Sequence, residues 1–141
     1  MCRVMGLCRD RGGAGAVEFA LVAPVFFAVL LGIVAYSYLL ALGLGLQQLA
    51  GEAVRASLSG ITDAERATIA QTFVASNLAA YGVIEPERLQ VRAAAAAAPV
   101  NTFEVALTYD LRDLFVTRLA PWLPTVGTEM RRAAVIQRGG Y

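Results

Sequence analysis

Glu18 is the residue whose place in the chain asks most for a chemical explanation. It follows Gly12-Gly13-Ala14-Gly15-Ala16-Val17, precedes Phe19, and stands at the head of residues 19–46, 28 consecutive positions without a charge. A carboxylate in a membrane span costs on the order of 2–3 kcal/mol near the bilayer centre and less toward the interface. A group kept at such a place needs a partner. Taken alone, Glu18 reads as an ordinary acidic residue favoured by the macrodipole of a first helical turn.

Other acidic groups suggest chemistry less well. Glu104, Asp110 and Asp113 can be drawn together as a calcium or acid–base cluster, but helix capping by Asp110 and Asp113 and a solvated strand face for Glu104 account for them. The chain has no histidine and no lysine, and both cysteines, Cys2 and Cys8, precede Gly13. The usual neutral-pH base, thiolate and soft metal ligands are therefore missing beyond that point. Gly12, Gly13 and Gly15 lack the strand–turn–helix context of a phosphate loop. Neither an enzyme, a cofactor nor a metal is expected.

The elements that carry Glu18 begin with a helix. Mean hydropathy is +0.58 and 57% of residues are hydrophobic, too apolar for an ordinary soluble domain. The uncharged run exceeds both the roughly 20 residues of a span and the 7–15 or so of a signal core. Signal cleavage near Gly43, releasing a soluble domain, is the weaker reading. Arg3, Arg9 and Arg11 precede the span and only Arg55 lies close behind it. The positive-inside bias puts the amino terminus in the cytoplasm and the carboxyl-terminal part in the periplasm. Beyond Arg55, eight arginines face eight acidic residues with no basic stripe, so nucleic acid is not an expected partner.

After Leu46 the pattern becomes one-sided, with Leu46, Leu49, Ala50, Ala53, Val54 and Leu58 at helical spacing. Such a helix, continuous from Ala14 to about Ser57, would be roughly 65 Å long at 1.5 Å per residue. Its outer half needs a surface to bury against. Pro24 should kink it, and the small pairs Ala28 with Gly32 and Ala41 with Gly45 allow close helix approach.

Gly60 ends this element. Thr62-Asp63-Ala64-Glu65 is a capping box opening a second helix, with Ile69, Ala70, Phe73, Val74, Asn77 and Leu78 inward and Gly82 at its end. Leu89, Val91 and Ala93 alternate as a strand that gives way to a loop before Pro99. Phe103, Val105, Leu107 and Tyr109 alternate as a second strand. Asp110 then caps a short helix through Leu111, Leu114, Phe115 and Leu119, stopped by Pro121. Pro121-Trp122-Leu123-Pro124 reads as a stiff lid over the core, ahead of a contact surface. A last strand covers residues 128–137 and a loose tail follows.

The opening Arg11-Gly12-Gly13-Ala14-Gly15-Ala16-Val17-Glu18-Phe19-Ala20-Leu21-Val22-Ala23-Pro24, continuing to Leu30-Leu31-Gly32-Ile33, resembles TadE-like proteins. These are minor pseudopilins of the tight-adherence (Flp, type IVb) pilus machinery. The resemblance covers roughly residues 9–34 and is carried by Gly13, Glu18, Phe19 and Pro24. It implies cleavage between Gly13 and Ala14 by an inner-membrane prepilin peptidase, with Glu18 as the fifth mature residue. Gly12-Gly13 leaves the backbone open to close approach. The new amine, with a pKa near 8, would be protonated and one helical turn from Glu18. Pairing within or between subunits, with Phe19 alongside, would set register.

The organisation expected is a basic leader (1–13), a transmembrane helix (14–46), its amphipathic extension (47–59) and a small exported domain (60–141). The fold class is α+β and pilin-like: a long first helix packed on a small antiparallel sheet with short helices. The implied partners are other pilin-like subunits, the assembly platform in the inner membrane, prepilin peptidase and membrane lipid. The alternative is an unprocessed, signal-anchored periplasmic scaffold or binding domain.

Overall fold

The computed structural model describes residues 11–96, 101–114 and 127–137. The leader's residues 1–10, the alanine run's end, the short helix beyond Leu114, the Pro121 to Pro124 loop and the tail lie outside the described residues. The chain divides into two units, Met1–Ala35 and Tyr36–Tyr141, with the boundary inside the first helix.

Helix α1 runs Arg11–Ala56, continuing through Pro24. In the first unit no side chain from Gly15 to Val34 is buried, and Phe19, Leu21 and Val25 are all more than half exposed. A helix apolar on every side and covered on none is unstable in water and suited to lipid. It is long and apolar enough to cross a membrane, with mean hydropathy 2.5 in its most apolar window.

The second unit is an α+β layer pair. Its sheet is antiparallel in the order β1-β2-β3, formed by β1 (Leu89–Ala95), β2 (Thr102–Asp110) and β3 (Glu129–Gln137). Leu89 faces Tyr109 across the first pair, and Phe103 faces Ile136 across the second. The period-2 rule sends Phe103, Val105, Leu107 and Tyr109 to one face, and all four are fully buried. The same rule puts Met130, Arg132, Ala134 and Ile136 on that face of β3. Leu42, Leu46, Leu49, Ala50 and Ala53 of α1 are likewise fully buried and supply the opposing layer.

The flanks of this stripe fix its seat. Gly43 lies against Met130 and Arg132, and Gln47 Nε2 donates to the Ala133 carbonyl at 3.4 Å. On the other flank, Gly45 lies against Tyr81 and Ile84, and the Tyr81 hydroxyl donates to Glu52 at 3.1 Å. With β3 on one side and the Tyr81 loop on the other, the stripe is centred over β2.

One residue of the expected stripe is corrected. Leu58 is 56% exposed, and Ser57 is buried in its stead, its hydroxyl donating to the Val54 carbonyl at 2.7 Å. The α-helix stops at Ala56 and tightens to a 3-10 turn over Ser57–Ser59, whose larger rotation per residue changes the face each side chain meets.

Helix α2 (Asp63–Asn77) starts at the expected cap, Thr62, with the return bond of the box shifted one residue back. Glu65 N donates to Thr62 Oγ1 at 3.2 Å, and the Glu65 carboxylate reaches back to the Ile61 amide at 3.0 Å. Ala70, Val74 and Leu78 are buried. The helix ends before Gly82, passing into a 3-10 turn over Leu78–Ala80, and Gly82 does not take a positive φ. Gly60 is required on steric grounds. A Cβ there would lie 2.8 Å from Arg66 Cγ and 2.9 Å from Arg66 N.

The expected helix after Asp110 is corrected where it is described. Asp110 closes β2, and its Oδ1 accepts from Arg112 N at 2.8 Å, an Asx turn in place of a helix cap. Asp113 has φ 60°, which no right-handed helix accommodates.

Candidate functional site

Glu18 and Phe19 are both exposed on the first unit's part of α1. Because α1 is helical from Arg11, Glu18 lies about two turns inside it. The macrodipole acts chiefly on the first turn, so it gives little account of a carboxylate there. No basic side chain among the described residues pairs with Glu18. Residue 14 lies four positions before it, the spacing at which helical neighbours meet. Gly13 and Ala14 have helical backbone.

Beyond Glu18 the surface of α1 in the first unit is apolar. Val22, Val25, Phe26 and Val29 are each more than half exposed, and Phe26 and Phe27 meet edge to face at 5.7 Å. What this surface can do is pack laterally, against lipid or against other apolar helices.

The described residues of the second unit hold no comparable concentration of reactive groups. Glu104 and Asp110 share one face of β2 but stand six residues apart, about 20 Å at strand rise. Glu104 pairs with Arg131 at 2.7 Å, and Asp110 pairs with Arg112 at 2.7 Å. They are not brought together with Asp113 as a cluster. Among the described residues no three His, Cys, Asp or Glu side chains converge as metal ligands.

The charges of this unit fasten its loops. Asp110 is held down at about 2, first by the Arg112 guanidinium and then by the Arg112 amide. That pairing offsets a like charge, since Asp110 faces Glu129 across the β2–β3 ladder. Arg88 joins Glu85 at 2.6 Å and reaches the Arg112 carbonyl, tying the segment before β1 to the end of β2. The hydroxyl of buried Tyr109 accepts from Glu85 N at 3.3 Å. Burial pushes the Tyr109 phenol up, with the Glu85 carboxylate adding to the rise.

Two features escaped the sequence reading. The closeness of Gly60 to Arg66 is set by the turn six residues long between α1 and α2, and that of Gly43 to Arg132 by a partner far along the chain; only the isolated glycines signalled either. The place of Arg132 on the α1-facing side of β3, where it stays exposed, was legible in principle, because it alternates with Met130 and Ala134.

Residues 13–55 match the family model described as TadE-like protein. The match opens at Gly13, contains Glu18, Phe19 and Pro24, and ends within the docked part of α1. It agrees with the resemblance read from the opening residues, to a family of pilus-associated, structural proteins. No curated protein and no solved structure matches the chain.

Proposed function

We propose that the protein is a pilin-like structural subunit, a minor pseudopilin that supports assembly of a Flp-type tight-adherence pilus. Its α1 is the single-pass anchor, with the amino terminus cytoplasmic and the folded unit on the periplasmic side. Prepilin peptidase cuts between Gly13 and Ala14. The observation that supports this reading is the coincidence of a family match beginning at Gly13 with a carboxylate five residues on, in a stretch of helix, residues 15–34, where nothing is buried.

The physics follows from the cut. Removing the leader leaves a cationic amine on Ala14, one turn from Glu18, in a setting where an unmatched charge is penalised. Within one subunit the pair is local. Between neighbours, the amine of one and Glu18 of the next fix how far one helix slides along the other, because each half-turn of misregister strands both charges in lipid. Phe19, beside Glu18, packs the same contact. Pro24 leaves the Ala20 carbonyl without its helical donor and provides a point of bending inside the apolar segment, six residues past Glu18.

Glu18→Ala tests the role assigned to the carboxylate. Membrane insertion and leader removal should persist, while recovery of the variant in assemblies with wild-type pilin-like subunits falls about tenfold or more, as ~1.4 kcal/mol of lost pairing gives. Equal recovery of the variant and wild type would remove Glu18 from register setting.

A further inference from the structure

We infer that the cleft between α1 and β3 around Arg132 binds the phosphate of an anionic phospholipid, in the leaflet next to the folded unit. This rests on the reading of α1 as a membrane anchor and assigns that anchor a lipid site. The cleft has a volume of about 310 Å³, and its lining includes Tyr36, Leu40, Leu44, Gln47, Met130 and Arg132, with Gly43 at its floor.

Arg132 is the polar end of the site. It lies on the α1-facing side of an edge strand, where alternation would otherwise place an apolar residue. Arg131, on the opposite face, is paired with Glu104, and Arg66, Arg88 and Arg112 also have carboxylate partners. Arg132 has no carboxylate partner among the described residues. One of its nitrogens donates to the Arg131 carbonyl at 3.0 Å, leaving most of the guanidinium fork open. Gly43 makes room for it: a Cβ at that position would stand 3.2 Å from Nη2 and 3.4 Å from the Met130 sulfur. A planar fork held at one corner suits bidentate contact with a phosphate.

The apolar end is on α1. Leu40 and Leu44 are 52% and 71% exposed and one helical turn apart, with Tyr36 one further turn along at 59%. A carboxylate from a protein partner would satisfy Arg132 but leave these side chains in water. A phospholipid answers both ends of the cleft. Depth agrees by length alone. About 20 residues fill the hydrocarbon core, so a span counted from Phe19 ends near Tyr38 and residues 39–46 enter the headgroup layer. Tyr36 and Tyr38 then fall where interfacial aromatics collect.

The full chain, in micelles holding equal amounts of phosphatidylglycerol and phosphatidylcholine, provides the test by native mass spectrometry. Wild type should retain the anionic lipid about fivefold over the zwitterionic one, the ratio that ~1 kcal/mol per basic residue at an anionic surface converts to. Arg132→Gln should bring the ratio to about one, and Leu44→Gln should lower retention of both lipids. Arg92→Gln, which removes an exposed arginine from the other face of the sheet, should leave the ratio unchanged. An unchanged preference in Arg132→Gln overturns the site, as does an equal loss in Arg92→Gln, which would reduce the effect to net charge. Displacement of the preference by inorganic phosphate alone would show a free-anion site and overturn the lipid assignment. Retention of no lipid of either kind would overturn the anchor itself, a result separable from loss of preference.

Discussion

Leu46→Ala and Leu44→Ala, two residues apart on α1, should differ sharply in their effect on the folded unit. Leu46 is fully buried in the stripe over β2, whereas Leu44 is 71% exposed. Truncating Leu46 removes about three carbons, ~2.4 kcal/mol of transfer free energy at ~0.8 per carbon, before the cavity left behind is counted. Leucine-to-alanine changes in closed cores span about 2–5 kcal/mol, so about 3 kcal/mol is expected here. Truncating Leu44 should cost within about 0.5 kcal/mol. The measurement is urea unfolding of the full chain in mild detergent, followed by circular dichroism and by proteolysis of the unfolded fraction. With a slope of ~2 kcal/mol per molar, the Leu46→Ala midpoint should fall by about 1.5 M while Leu44→Ala stays near wild type. Comparable midpoints for the two variants would refute docking of the outer part of α1 on the sheet.

Two further outcomes are expected. Gly60→Ala should destabilise the second unit by about 1–3 kcal/mol on the same urea assay, because the added carbon meets the backbone of Arg66 and not only its flexible side chain; a neutral result would place the strain elsewhere. Stability should also have an acid and an alkaline arm to which adjacent residues of β2 contribute, Tyr81 adding to the alkaline one. Tyr109 is raised, so its contribution is complete below the unfolded value near 10 and is lost as pH climbs through the folded one; Tyr109→Phe should flatten that arm. Asp110 is lowered to about 2, so its contribution is present above about 4 and is lost as pH falls toward 2; Asp110→Asn should flatten the acid arm. Midpoints measured across pH for the three proteins check both, and arms unchanged by the substitutions would contradict the assignment.

Local pattern made much of this fold readable. Hydrophobic periodicity locates α1 and the strands, and Thr62 with Glu65 places the start of α2, because caps and alternation are decided within a few residues. What escaped depends on partners distant in sequence or on small changes of helical rotation. Ser57 displaced Leu58 from the core because the last turn tightened to a 3-10 turn. Asp110 looked like a helix cap, yet its carboxylate bonds two residues ahead as readily as three, and the turn won. At the candidate site, Glu18 and Phe19 were conspicuous because an isolated charge at the head of an apolar run has few explanations. Arg132 was not, since one arginine among twelve gains meaning only when Gly43 is found beneath it.

The account depends most on the state of the chain's beginning in its own membrane. Intact mass and amino-terminal sequencing of the protein extracted from its native host measure this directly. Under the account the mature chain starts at Ala14, with Glu18 as its fifth residue. A chain that starts at Met1, or at Cys2 after methionine removal, would contradict it and leave an anchored domain with no filament role.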